Sequence, residues 1–338
     1  MIETTLQDRF VGCMLGLAVG DALGGRFEAQ SAEAIRERFP TVDRLIAYPT
    51  DEIWYTDDTQ MAIGVAEALI ECGEIVEESL CRAFVSNYIP SRGYGRGARA
   101  VLDAMEEGQN YGEVAERHFP GGSYGNGAAM RVAPVGLLFR NDRNRLKEQA
   151  RLSAWPTHRH PLGIEGASIL ALAVALASEM ESFDRSYYFT ELLGACESEA
   201  FRAKIEQARA IGSVEELVLL GNGIEAINSV PTAIASFAFT PDSYESTIGH
   251  AILLGGDTDT IAAMAGAISG AFLGIGKLPK HLVGFLESST KGREYIRGLA
   301  DKLLEIHNRH GEPKSDELRS SYQFDYSEAK PNRFDSDA

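Results

Sequence analysis

An all-α fold is what the sequence predicts, and three observations predict it. Apolar residues recur at the helical period in six separate segments, two of those segments are apolar nearly all round, and no segment shows a convincing alternation of period two. The first predicted helix covers residues 7–19 and ends at Gly20-Asp21. The second covers 59–72, where Met61, Val65, Ala68, Leu69 and Cys72 draw one apolar stripe, and Gly73 follows as a C-cap residue. A third covers 97–105 and a fifth 244–254. The fourth, 163–180, contains GIEGASILALAVALAS, and the sixth, 259–272, contains AAMAGAISGAF; both belong in the middle of a bundle. In the sixth, Gly266-xxx-Gly270 reads as close backbone packing within a soluble core, because the apolar stretch around it is too short for a membrane dimer motif.

The chain has 338 residues, 44% of them hydrophobic, enough for a sizeable core, and no linker or internal repeat divides it. One domain over residues 1–310 is predicted, followed by a polar, charged and partly mobile tail over 311–338. The net charge of −17 opposes non-specific attraction to nucleic acid or to an anionic membrane surface. An anionic ligand would need local neutralisation. Cys13, Cys72, Cys81 and Cys196 form no CxxC pair, so neither a zinc ribbon nor a disulfide framework is indicated, and a reducing cytoplasm is expected. The N-terminus lacks a basic leader, and the longest purely aliphatic run, 169–177, falls short of the roughly 20 residues that cross a bilayer. Neither export nor a membrane span is expected, and a monomer is.

Two acidic clusters stand out. In WYTDDTQ, Asp57 and Asp58 lie between Thr56 and Thr59 where a loop becomes the second helix. In LLGGDTDTIAAM, Asp257, Asp259 and Thr260 follow a Gly-Gly turn and open the sixth. Taken alone, each cluster is explained by helix capping and by the positive end of the helix dipole. Taken together they ask for more, because four carboxylates buried near one another are prohibitive without cations. Carboxylate and hydroxyl oxygens are hard ligands that suit Mg²⁺, Mn²⁺ or Ca²⁺. Since magnesium usually takes only one or two protein carboxylates, four suggest two ions, typically ~4 Å apart when they share an oxygen.

The glycine-rich stretch 121–127, GGSYGNG, has no Walker lysine, but its backbone N–H groups can converge on an anion if AAMRVA begins a helix behind them; a plain surface turn is the other reading. Ser91-Arg92-Gly93-Tyr94-Gly95 is a candidate second wall. His158 and His160, in THRHP, read as capping or hydrogen-bonding groups before metal ligands, and Trp155 as packing before base stacking.

At this point the chain resembles the ADP-ribosylglycohydrolases, a family that includes ADP-ribosyl-acceptor hydrolases and the dinitrogenase-reductase-activating glycohydrolase. The motifs that carry the resemblance run in order: GCMLGLAVGDALGGRFEA (12–29), YTDDTQM (55–61), GYGRGA (93–98), GGSYGNGAAMRVAPVG (121–136), THRHPLG (157–163) and GGDTDTIAAMAGAISGA (255–271). The resemblance implies a compact orthogonal helical bundle with a di-metal cleft, two Mg²⁺ or Mn²⁺ ions, and hydrolysis of the bond joining ADP-ribose to an acceptor. It places metal ligation on Thr56, Asp57, Asp58, Asp257, Asp259 and Thr260, and a mobile catalytic role on Glu28, which taken alone is an ordinary loop glutamate. It puts Gly93, Gly122, Ser123, Tyr124, Gly125, Asn126 and His158 against the substrate, Tyr124 toward the adenosine part and His158 toward the diphosphate or distal ribose, and leaves His160 structural.

Cleavage at the anomeric carbon develops oxocarbenium character, so water must arrive on one face of an oriented ribose. Cations of this kind grip ribose hydroxyls and lower the pKa of a bound water, and Glu28 then orients or deprotonates the attacking water. Asp58 is the candidate acid for the departing acceptor if it is not fully occupied by metal. The expected partner is an ADP-ribosylated protein or a small molecule containing ADP-ribose, with SYGNGAAMR closer to the serine-type branch, which also trims poly(ADP-ribose), than to the arginine-type branch. A non-catalytic ADP-ribose reader or structural relative is the alternative, and a two-metal phosphohydrolase a third reading without an H-D or H-E-x-x-H motif to support it.

Overall fold

The computed structural model describes residues 4–311. Regular structure among them is helical: eighteen α-helices and three 3-10 turns, with extended pairing limited to three isolated bridges. All six predicted segments are helices: Leu6–Gly24, Asp57–Cys72, Arg96–Glu106, Pro161–Glu179, Tyr244–Ile252 and Thr258–Leu273. Gly73 adopts φ 74° and closes the second as anticipated. The predicted polar tail lies outside the described residues except for Gly311, which ends the Arg293–Gly311 helix.

The main departure is the N-terminal helix, which runs through Gly20-Asp21 to Gly24. Its glycines are contacts, not terminators. Gly12, Gly16, Gly20 and Gly24 fall every fourth residue, on one face, and that face lies directly on the Thr258–Leu273 helix. A Cβ on Gly12 would stand 2.4 Å from Gly270 O, on Gly16 2.5 Å from Gly266 O, on Gly20 2.1 Å from Ala262 O and on Gly24 2.4 Å from Thr258 O. The two helices are therefore antiparallel with their backbones touching, which is the close packing that Gly266-xxx-Gly270 implied. Tyr244 donates its hydroxyl to Gly16 O at 2.6 Å, and Thr258 Oγ1 donates to Gly24 O at 2.9 Å. At the opposite end, Arg9 Nη1 donates to Phe272 O at 2.6 Å, with Ala177 O and Ala271 O each 3.3 Å away. One cation thus serves the carbonyl ends of two central helices.

The Pro161–Glu179 and Ala226–Phe239 helices pack around this pair and are almost wholly buried. The former has the length and mean hydropathy (1.7) of a bilayer-crossing helix, which the aliphatic run 169–177 alone did not suggest. Yet 78% of that window is buried by the rest of the protein, the situation of a core helix. Because the central pair is antiparallel, the C-terminal end of the first helix and the N-terminal end of Thr258–Leu273 emerge together. There, too, the Asp57–Cys72 helix begins.

Candidate metal and ligand site

Asp21, fully buried at the end of the first helix, organises this corner. Its carboxylate accepts from Thr56 N at 2.9 Å, Thr56 Oγ1 at 2.7 Å, Thr59 N at 3.0 Å and Thr59 Oγ1 at 2.5 Å. The start of the Asp57–Cys72 helix is thus held by a carboxylate from another helix. Thr56 occupies the N-cap position but its hydroxyl accepts only a long bond, 3.4 Å, from Asp58 N. The single Thr56 hydroxyl proton goes to Asp21 at 2.7 Å in preference to Asp58 Oδ2 at 3.3 Å. Asp57 and Asp58 are therefore not needed as caps. Asp58 is 2% exposed, and its Oδ1 has no hydrogen-bond partner among the described residues.

The second cluster is built by a tight turn. Gly255 and Gly256 adopt φ 68° and 76°, and a Cβ on Gly256 would stand 2.4 Å from Asn222 O. Gly256 O accepts from Ala29 N, and Gly256 N donates to Gln30 O, both at 2.9 Å, so the loop carrying Glu28 is stitched to the turn. Ala29 itself holds φ 62°, unusual for a residue with a side chain. Asp257 sits at the N-cap position without making a capping hydrogen bond; its carboxylate accepts from Asn126 Nδ2 at 2.5 Å instead. Carboxylate oxygens of Glu28, Asp257 and Asp259 all lie within 4.8 Å of one another.

Such crowding shows in the proton affinities. Burial first, then Asp257, Glu28 and Asp21, push Asp259 up to about 9. Burial and then Asp21 push Asp57 up to about 7. Asp58 is raised well above the usual carboxylate range by burial and next by Asp259, and Asp257 and Glu28 are raised chiefly by burial. Carboxylates that burial, and then one another, leave short of compensating charge take up protons or cations for the same reason. Together with the partnerless Oδ1 of Asp58, this is a hard-oxygen donor set that fits a divalent cation. Glu28 enters that set as the exposed member, beside the acids where the family resemblance, and not local pattern, put it.

The acidic corner is one end of a cavity of about 510 Å³. Asp57, Asp58, Asp257, Asp259, Thr260 and Glu28 line that end. Gly93, Ser123, Tyr124, Gly125, Asn126 and His158 also line the cavity, Gly93 and Asn126 directly beside the acids. Gly93 is necessary: it adopts φ 102°, and a Cβ there would stand 3.2 Å from Asp57 Oδ1. Two predicted residues are not among the lining. Thr56 faces Asp21, and Gly122, at φ 90°, packs its bare face on the backbone of His160, where a Cβ would stand 2.3 Å from the amide nitrogen. His160 caps the Pro161–Glu179 helix, accepting from Leu162 N at 3.1 Å. Trp155 does not line the cavity; it lies under Arg159, 5.1 Å from the guanidinium carbon.

Three residues were missed from the sequence. Asp21 was in plain view as the acid at the end of an apolar run. Phe119 lines the cavity with Tyr124; the two are 36% and 53% exposed, an unusual state for aromatic rings, and Gly97 leaves the room that the Phe119 ring occupies. Arg131, fully buried, also borders the cavity, and nothing but its place in GNGAAMRVA marked it.

The profile of the ADP-ribosylglycohydrolase family matches residues 2–313. The chain is similar to the ADP-ribosylhydrolase ARH3 of Homo sapiens, 35% identical over 344 residues that cover 88% of this chain and 93% of that protein. It is also similar to an uncharacterized protein of Archaeoglobus fulgidus, 34% identical over 318 residues, with 90% and 98% covered. Among solved structures, an ADP-ribosylglycohydrolase-related protein complex superposes with a TM-score of 0.68 at 26% identity, covering 91% of this chain and all of that one. With the helical core, the ordered motifs and the acidic corner in agreement with these matches, the chain belongs to the ADP-ribosylglycohydrolase family.

Proposed function

We propose that this protein is a hydrolase that removes ADP-ribose from a modified acceptor and needs divalent cations, two Mg²⁺ or Mn²⁺, to do so. The observation that supports it most is the acidic corner: five carboxylates, from Glu28, Asp57, Asp58, Asp257 and Asp259, at one end of a cavity whose other walls are glycine-rich and aromatic. Asp57, Asp58, Asp257, Asp259 and Thr260 are the residues assigned to hold the cations, joined by Thr56 from behind the lining through a hydroxyl lone pair, its proton being given to Asp21. Cations held there would neutralise the carboxylates and supply Lewis-acid polarisation of ribose oxygens.

The chain's own groups account for the rest. Glu28, the exposed acid beside Asp257, has one side toward the cavity, where it can orient or deprotonate a water at the anomeric carbon; partial desolvation of its carboxylate, then Asp257 and Asp21, make it a stronger base than a free glutamate. Within the stretch ahead of the Gly127–Met130 turn of helix, Asn126 N already donates to Ile224 O and Gly125 N to Ser123 Oγ, which leaves the N–H groups of Ser123, Tyr124 and Gly127 to offer to a pyrophosphate. Phe119 and Tyr124, exposed along the same cavity, offer faces to a base. Asp58 keeps one oxygen without a partner among the described residues, available to a cation or to the leaving group. The 123–131 wording, SYGNGAAMR, favours a serine-linked or poly(ADP-ribose) substrate over an arginine-linked one.

The test is incubation of the protein with ADP-ribosyl-serine and ADP-ribosyl-arginine peptides in Mg²⁺, Mn²⁺ or EDTA, with detection of free ADP-ribose. Metal-dependent release, faster from the serine peptide, is expected. Binding without release in every condition would make the protein a reader, and release of AMP or phosphate would make it a phosphohydrolase.

A further inference from the structure

We infer that Arg131 and Thr157 are positioning residues that fix the tautomer of His158, so that its ring presents Nε2–H as a constant donor on the side of the glycine loop 123–127. What that donor meets, an oxygen of the ADP-ribosyl group, rests on the function proposed above; the tautomer itself does not.

The chain of donors starts at Arg131. Its guanidinium is fully buried, 4.6 Å from the Phe84 ring, and Nη2 donates to Ser153 O and to Thr157 Oγ1, both at 2.8 Å. A guanidinium cannot accept, so the Thr157 oxygen is the acceptor of that bond. The same oxygen lies 2.8 Å from His158 Nδ1. Two assignments are possible there. If Nδ1 carried the proton, Thr157 Oγ1 would accept twice and its own hydrogen would be left without an acceptor among the described hydrogen bonds, in a side chain only 6% exposed. If Thr157 donates to Nδ1, its hydroxyl hydrogen is used, and the arginine charge polarises the hydroxyl toward donation. The ring proton is then on Nε2.

The geometry on the other side of the ring agrees. His158 N donates to Ala154 O at 2.9 Å, which fixes the base of the side chain. Nε2 points at the loop: a Cβ on Gly127 would stand 3.1 Å from it and a Cβ on Gly125 3.6 Å. Glycine at these positions keeps the Nε2–H edge uncovered. Burial, and next the Arg131 charge, hold the imidazole down to about 3, so the ring is neutral at working pH and its single donor direction is set by Thr157. A histidine in this tautomer donates to a phosphate or hydroxyl oxygen through Nε2 and has no lone pair there for a cation.

Nitrogen-15 histidine labelling of the full chain decides the matter, with His158 identified among the seven histidines by its loss in His158→Gln. The neutral-pH spectrum is expected to show Nε2 protonated and Nδ1 bare. Thr157→Val, which keeps the shape and removes the hydroxyl, is expected to abolish that preference and raise the ADP-ribose Kd about tenfold. Thr157→Ser is expected to restore both. A wild-type ring protonated on Nδ1, or a Thr157→Val ring that keeps the Nε2 proton and wild-type affinity, would overturn the inference. If wild-type protein bound no ADP-ribose, the proposed ligand would fail while the ring spectra still decided the relay.

Discussion

Asp21 accepts four hydrogen bonds from two threonines and never touches the cavity, while Asp58, two helix positions from the cap, receives almost none. That division of labour gives the first prediction. An asparagine at 21 keeps the shape but turns an N–H pair toward groups that are themselves donors. Asp21→Asn is therefore expected to lose about 2 kcal/mol in urea unfolding and to bind Mg²⁺ about tenfold more weakly in a calorimetric titration, because the Thr56–Asp58 turn loses its support. Unchanged metal affinity in a folded variant would show that the cap does not position the ligands. Glu28 lies at the other extreme, exposed and held by a loop. Glu28→Gln preserves the volume and removes the base, so single-turnover cleavage is expected to slow by about a hundredfold or more while ADP-ribose affinity stays within about threefold. Equal losses in both would make Glu28 a binding residue.

The antiparallel pair Leu6–Gly24 and Thr258–Leu273 decides which ends of the chain meet, and glycine decides how closely. Each of Gly12 and Gly20 has a carbonyl under 2.5 Å from where a Cβ would go, so alanine at either forces the backbones apart and costs about 1–3 kcal/mol. Their positions differ along the axis. Gly20 precedes Asp21, whereas Gly12 lies against Gly270 at the far end. Gly20→Ala is expected to lower metal affinity and turnover along with stability, and Gly12→Ala to lower stability by a similar amount with turnover retained at a temperature where both variants are folded. Identical turnover in the two would detach the helix pair from the site. Gly266-xxx-Gly270 was readable as a contact, but its partner ladder was not, because Gly20 beside a charged Asp21 looks like a helix ending when only local propensity is considered. Tertiary contact reversed the sign of that glycine: it removes a Cβ that the fold cannot accommodate.

Across the whole molecule, the legible features were those written in local pattern. Helical periodicity located the six segments, and the paired acids marked both halves of the acidic corner. What was not legible depends on residues far apart in sequence: that Asp21 frees Asp57 and Asp58 from capping, that Phe119 stands over a glycine at 97, and that Arg131 reaches His158 through Thr157. The acidic corner also sets a global property. Its carboxylates repel one another in the folded chain more than in the unfolded one, within a molecule that already carries −17, so the metal-free fold bears that strain. Cations that bind only the folded state relieve it by mass action, about 2.7 kcal/mol at a concentration a hundredfold above Kd. Millimolar Mg²⁺ or Mn²⁺ is therefore expected to raise the melting temperature by several degrees, well beyond the effect of NaCl at equal ionic strength, which only screens. Asp259→Ala supplies the control. Removing one repelling carboxylate is expected to make the metal-free protein at least as stable as wild type, while abolishing the metal-dependent rise and the release of ADP-ribose. A variant that still gained stability from Mg²⁺ as wild type does would show that the cations act on the acidic surface at large and not at this corner.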